Sequence, residues 1–300
     1  MLPRGVYPAL VTPFDELGAV DGPSLVRLLG FHLAAGASGV VLAGTNGEGA
    51  SLTFSEKRDL LISARAIAPE LKLILGLPVN SLLEATGLAS LAGRKGADAL
   101  LLSPPSFWKR ASDEGLFLWL KEVLDAASVP VLLYHNPPAN ATGLPLERLE
   151  ELLDHPNCGG VKNSSVTEED LGWWRSRVKP DQALWVGDER MIPSAFGQGW
   201  NGTISGAANL LSPFLVPIVR DWPSGAAQSR FDLIAPLLEA FRENSQPEAH
   251  KAVLHQWGLL STPSPRLPLT ARGGEKVADL VKEVTGLCRG SLGLTKGGLQ

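Results

Sequence analysis

Cysteine is nearly missing from this sequence, which has only Cys158 and Cys288. Two thiols are too few for a disulfide framework and lack CxxC spacing, which suits a reducing cytoplasm, where the chain is expected to reside. Positive charge is not in surplus either. The formal net charge is -4 and the basic residues are interspersed with acidic ones, so nucleic acid is not an expected partner. No apolar run reaches the roughly 18 residues needed to span a bilayer. The opening MLPRGVYPALVTPF has a proline and an arginine where a signal peptide would carry an unbroken apolar stretch, so no membrane contact is expected. GxGxxG, P-loop and GxSxG motifs are absent. His32, His135, His155, His250 and His255 form no HxH or HxxxH pair, so neither a metal nor a cofactor is expected. Tyrosine is scarce too, limited to Tyr7 and Tyr134.

Glycine and proline are plentiful, at 32 and 23 residues, but they are spread out as punctuation between short elements. Short apolar runs alternate with stretches of helical periodicity, the order of parallel strands joined by crossover helices. The expected strands are Val6 to Val11, Gly39 to Ala43, Lys72 to Leu75, Ala99 to Ser103, Val129 to Tyr134, Gly159 to Lys162, Leu184 to Val186 and Gly202 to Ser205. Eight such units, spaced about 25 to 35 residues apart except for the shorter step from Leu184 to Gly202, predict a closed (β/α)8 TIM barrel, which leaves no sheet edge exposed. Thr53 and Glu56 have capping-box spacing ahead of a helix with Leu60, Leu61, Ala64 and Ile67 on one face. After Leu210 the alternation stops, and Phe231, Ile234, Leu237, Leu238 and Phe241 form a helical stripe. The expected division is a catalytic barrel over residues 1–210 and a C-terminal helical extension over 211–300, packed on the barrel or on a partner subunit.

In such a barrel the reacting groups sit where strands end at the C-terminal face, so polar residues closing apolar strands are the candidates. Lys162 closes the sixth strand, and Asn163, Ser164 and Ser165 follow it. An amine held in the barrel mouth is partly desolvated, which favours the neutral form that attacks a carbonyl. The alternative is a lysine paired with a neighbouring acid. Lys72 lies at the opposite end of its strand, where residues more often serve stability. Tyr134 closes the fifth strand, and a phenol across the mouth from a lysine can relay the proton that leaves a carbinolamine. Its alternative is a core tyrosine whose hydroxyl merely finds a partner. Gly44, Thr45, Asn46 and Gly47 follow the second strand, where backbone N–H groups, a hydroxyl and an amide could surround a carboxylate, unless the glycines serve only a tight turn. His135 is expected in a loop near the mouth.

Taken in order, GTNGE at 44–48, the strand-end tyrosine, VKNSS at 161–165, VGDE at 186–189 and NGTISGAAN at 201–209 resemble the dihydrodipicolinate synthase/N-acetylneuraminate lyase family of pyruvate-dependent Schiff-base enzymes. The likeness runs from about Gly5 to Asn209 and more loosely through the helical tail. It implies a (β/α)8 barrel with a helical extension, assembled as a homotetramer or dimer. It also implies that Lys162 is the Schiff-base lysine, that Tyr134 shuttles protons, and that Thr45 and Asn46 hold the pyruvate carboxylate. Gly187, Asp188, Ile204 and Ser205 match positions that line the pocket.

Within this family, GTNGE and PPANATG look like the branch of 4-hydroxy-2-oxoglutarate and 2-keto-3-deoxy acid aldolases. The synthase branch has an arginine shortly after the strand-five tyrosine and a second tyrosine, supplied by a neighbouring subunit, after strand four. Here HNPPANATG has no arginine, and Pro105 to Arg110, PSFWKR, has no phenol. The expected activity is therefore a pyruvate-forming lyase acting on a 2-keto-3-deoxy sugar acid or 4-hydroxy-2-oxoglutarate. Condensation of pyruvate with aspartate semialdehyde is the second expectation, and a catalytically silent binding barrel is the third.

Overall fold

A computed structural model of the chain describes residues 2–137, 144–243, 247–271, 273 and 275–292. Eight parallel strands, β1 (Gly5–Pro8), β2 (Gly39–Leu42), β3 (Lys72–Leu77), β4 (Ala99–Leu102), β5 (Val131–His135), β6 (Cys158–Asn163), β7 (Ala183–Val186) and β8 (Gly202–Ser205), pair in the order β1-β8-β7-β6-β5-β4-β3-β2. The ring closes between β1 and β2 through a parallel bridge from Ala9 to Val41, where the Leu10 N–H donates to the Val41 carbonyl at 3.0 Å. This is the expected (β/α)8 barrel, and all eight expected strands are present within a few residues of their expected ends.

The strands are apolar on both faces because both are covered. Val40, Leu42, Leu73, Leu75, Leu100, Leu102, Leu133, Val161, Leu184 and Val186 pack outward against the helices. The residues between them, Val41, Ile74, Leu101, Leu132, Trp185 and Ile204, fill the barrel interior together with Tyr7 and Tyr134. Side-chain alternation thus divides each strand between two cores.

The surrounding helices are α1 (Gly22–Ala34), α2 (Phe54–Ile67), α3 (Leu82–Ala92), α4 (Asp113–Ala126), α5 (Leu146–Leu153), α6 (Glu168–Arg177), α7 (Ile192–Gly197) and α8 (Ala208–Asp221). The capping box forms at α2: the Thr53 side chain accepts from the Glu56 N–H, and the Glu56 carboxylate accepts from the Thr53 N–H. Such a cap stabilises a helix by about 1 kcal/mol. Helix α8 straddles the expected 210/211 division and packs on β1. Beyond it lie α9 (Gly225–Glu243), α10 (Glu248–Gln256) and α11 (Glu275–Leu292). The stripe from Phe231 to Phe241 on α9 is buried, as its spacing predicts. Among the described residues, no helix is long and apolar enough to cross a membrane.

Candidate active site

The strand pair β5 and β6 carries the two central residues, and an irregularity in their pairing brings them together. Val131 is opposite Cys158, but Leu132 is opposite Gly160, so Gly159 is passed over and the register shifts by one. Because successive side chains on a strand point to opposite faces, a one-residue shift decides which face a residue joins. After the shift Tyr134 is opposite Lys162, and both face the barrel interior. Only glycine suits the shift, since Gly160 has φ 131 and a Cβ there would lie 1.9 Å from the Ala183 carbonyl oxygen.

Lys162 is buried, and its Nζ lies 4.2 Å from the centroid of the Tyr134 ring. The phenol oxygen accepts from Asn136 Nδ2 at 2.9 Å and from Ser164 Oγ at 3.4 Å. Burial opposes ionisation of this phenol. The nearby positive charge of Lys162, with hydrogen bonds from Ser164, Asn136 and Thr45, outweighs burial and holds its pKa below the ordinary tyrosine value. Tyr7 is the reverse case. Its hydroxyl donates to the Pro3 carbonyl at 2.9 Å, at the other end of the barrel, and burial pushes its pKa up. Lys72 also serves that end, where it pairs with Asp98 at 2.7 Å.

The loop after β2 presents Thr45 exposed and Asn46 buried, and Asn46 Oδ1 has no hydrogen-bond partner among the described residues. Two non-glycine residues in left-handed conformation bracket this loop, Ala43 at φ 53 and Glu48 at φ 52. Each costs roughly 1–2 kcal/mol, so surrounding contacts must hold the turn. One is the Thr12 hydroxyl, which donates to the Gly47 carbonyl at 2.6 Å.

The positions assigned to the pocket lining divide into two groups. Gly187 lies against the amine: a Cβ there would be 3.0 Å from Lys162 Cε and 1.9 Å from Ser164 Oγ, so only glycine leaves the lysine its room. Ile204 is fully buried in the barrel-interior cluster that also contains Tyr134. Asp188 and Ser205 are engaged with neighbours. The Asp188 carboxylate accepts from Arg190 Nη2 at 2.7 Å and caps the short turn over Glu189–Met191. The Ser205 hydroxyl donates to the buried Glu189 carboxylate at 2.5 Å, which also accepts the Ala207 N–H at 3.1 Å.

His135 lies at the mouth end of β5, but within the strand and not in the loop that its sequence context predicts. Alternation puts it on the face of β5 opposite to Tyr134, its ring lies 5.5 Å from that of Trp174 on α6, and burial lowers its pKa. Residues 138–143 of PPANATG lie outside the described residues. Sequence reasoning passes over Ser164 and Asn136, although a signal exists: each lies two residues beyond a named site residue, and i and i+2 share a side on an extended chain. Glu189 also lies two residues beyond a named residue, Gly187, but it is in the turn after β7, where i and i+2 need not share a side.

The sequence profile described as the dihydrodipicolinate synthetase family matches residues 2–286. A 4-hydroxy-tetrahydrodipicolinate synthase of Persephonella marina is 31% identical over 288 residues, covering 93% of this chain and 98% of the relative. That of Pseudomonas aeruginosa is 32% identical over 274 residues, covering 89% and 92%. Among solved structures, the 4-hydroxy-tetrahydrodipicolinate synthase of Methylacidiphilum fumariolicum superposes with a TM-score of 0.88 at 26% identity, covering 97% of both chains. The pyruvate complex of the Acinetobacter baumannii dihydrodipicolinate synthase also has a TM-score of 0.88 at 26% identity, covering 95% of this chain and 98% of that one. The chain therefore belongs to the dihydrodipicolinate synthetase family of class I aldolases, and it is a lyase.

Proposed function

We propose that the chain holds pyruvate as a Schiff base on Lys162 and joins its methyl carbon to an aldehyde. The observation that carries this reading is the packing of Lys162, Tyr134 and Gly187, in which a buried amine, a phenol of lowered pKa and an open glycine face share one barrel end. The amine adds to the keto carbon, the carbonyl oxygen takes up protons and leaves as water, and the iminium draws electrons from the adjacent C–H bond to form an enamine. Tyr134 relays the protons. Thr45 hydrogen-bonds the phenol and, with Asn46, receives the keto acid's carboxylate. Gly187 and Ile204 shape the wall, while Asp188 and Ser205 line it through backbone that their side-chain contacts hold in place. No cofactor takes part in this scheme.

For the second substrate, the names of the relatives support condensation with aspartate semialdehyde better than the cleavage reactions placed first on sequence grounds. One feature favours the cleavage of 4-hydroxy-2-oxoglutarate or a 2-keto-3-deoxy acid as a second reading: residues 135–143 contain no arginine, and residues 105–110 no phenol. The expected homodimer or homotetramer fits Phe107 and Trp108, which are 71% and 62% exposed in the single chain. The cytoplasmic setting fits the paucity of cysteine.

Borohydride reduction with pyruvate tests the core of the proposal. One reduced pyruvyl unit is expected on the peptide bearing Lys162, and none in Lys162→Ala. Labelling at another lysine would overturn the assignment.

A further inference from the structure

The segment after α10 reaches back across the molecule to the loop that follows β2. Lys251 on α10 forms an ion pair with Glu48, and the side chains of both are 0% exposed. The other carboxylate oxygen of Glu48 accepts the backbone N–H of Arg266 at 2.7 Å, a contact across 218 positions. Both cations also rest on one ring: Lys251 Nζ lies 4.2 Å and the Arg266 guanidinium 4.4 Å from the centroid of Phe14. The Arg266 side chain continues to the carbonyls of Gly18 and Ser51 and to the Glu56 carboxylate. Glu48 itself is in the left-handed region, and its N–H donates to the Thr45 carbonyl at 3.1 Å, closing the turn that displays Thr45 and Asn46.

We propose that Glu48 is a positioning residue for keto-acid binding: its buried ion pair with Lys251 holds the Thr45–Asn46 turn in the shape that receives the substrate carboxylate. The inference rests on the pyruvate reading given above. A left-handed non-glycine residue persists only where its surroundings over-determine it, and a buried carboxylate is stable only while it is paired. Loss of either partner lets residues 43–48 relax toward ordinary backbone, and Thr45 and Asn46 turn with them. The amine, on β6, is untouched. The damage therefore falls on recognition of the carboxylate and spares the carbonyl chemistry.

The test uses the full chain with Glu48→Gln, Lys251→Met and the double variant, which replaces the buried ion pair with a neutral pair and so keeps the fold accessible if a single variant does not fold. Borohydride trapping on Lys162 is measured against pyruvate concentration and, in parallel, against hydroxyacetone, which has the carbonyl without the carboxylate. Half-saturating pyruvate should rise about tenfold or more in each folded variant, with hydroxyacetone trapping unchanged. A pyruvate dependence within about twofold of wild type overturns the inference, and so does a parallel loss of both probes, which marks general damage. Wild-type protein that is trapped by hydroxyacetone but not by pyruvate would remove the pyruvate reading, and this inference with it.

Discussion

Lys162 and Tyr134 are register partners on neighbouring parallel strands, with the amine nitrogen 4.2 Å from the centroid of the phenol ring. The amine therefore lies over the ring face, while Asn136 and Ser164 hold the phenol oxygen. Charge and hydroxyl are close enough to couple electrically without being bonded to each other, and the first prediction tests that coupling without any substrate. Burial raises the pKa of Tyr134, but the Lys162 charge and the hydrogen bonds bring it below the ordinary value, whereas Tyr7 is raised. With two tyrosines in the chain, tyrosinate absorbance should titrate in two separated steps. A positive charge favours the anion, so Lys162→Met should move the lower step upward and leave the upper one in place. An unmoved lower step would show that the coupling is absent.

Removing the hydroxyl alone separates relay from packing. Tyr134→Phe keeps the ring in the barrel interior, so the fold should hold while kcat falls by about 100-fold, within the usual range for a general acid–base group. Turnover close to wild type would make Tyr134 a packing residue.

Gly187 offers a steric test. Its missing Cβ would meet Ser164 Oγ at 1.9 Å and Lys162 Cε at 3.0 Å, so Gly187→Ala should abolish pyruvate trapping by displacing both groups. Adding Ser164→Gly removes the worse clash, and trapping should partly return, at reduced turnover because the phenol loses a hydrogen-bond donor. If the single variant traps pyruvate as wild type does, the wall is not where Gly187 places it.

The barrel was legible because its signal is repeated. Eight apolar runs at similar spacing leave little choice of topology, and the capping box at Thr53 and Glu56 is a local pattern with a local cause. Lys162 and Tyr134 were legible as strand-closing polar residues. Their contact was not, since it depends on the register shift at Gly159, and two adjacent glycines do not announce whether a strand runs straight or skips. His135 was misplaced for a related reason. Its distance from the mouth is short, but alternation turns it outward. The Glu48–Lys251 pair lies beyond any local pattern, because its partners meet only after the whole barrel has closed.

Acid should destabilise the protein through two histidines. His32 and His250 are fully buried, and burial lowers both pKa values to about 3. Among the described residues, His250 has no hydrogen-bond partner at either ring nitrogen, and His32 has none at Nε2. An unfolded histidine takes its proton near pH 6.5 or so. Between that value and about 3 the unfolded chain binds more protons, so stability falls as the pH falls through this window. His250→Leu should reduce the dependence of the denaturation midpoint on pH in this range. A midpoint as pH-dependent as wild type would mean that His250 charges in the folded state.

The last prediction concerns the aldehyde. An arginine gives a carboxylate two parallel charge-assisted hydrogen bonds that neutral side chains do not match. Losing such a contact typically costs about 1.5–3 kcal/mol, or roughly one to two decades of kcat/KM. Residues 135–143 have no arginine, so condensation of pyruvate with aspartate semialdehyde should proceed with a raised KM for the semialdehyde and an ordinary KM for pyruvate. Assayed beside the Pseudomonas aeruginosa relative, the chain should be weaker by about one to two decades in kcat/KM for the semialdehyde. Lys109 and Arg110 are exposed after β4, and a swing of either into the mouth would shrink that deficit, so Lys109→Ala and Arg110→Ala belong in the same series. The competing substrates are 4-hydroxy-2-oxoglutarate and 2-keto-3-deoxygluconate. Both carry the keto acid that Lys162 would hold; 2-keto-3-deoxygluconate has no second carboxylate, whereas 4-hydroxy-2-oxoglutarate has one and releases it as glyoxylate, so the sugar acid is the substrate that the missing arginine handicaps least. Efficient cleavage of either, with negligible condensation, would place the chain in the cleaving branch of its family and leave the Schiff-base chemistry standing.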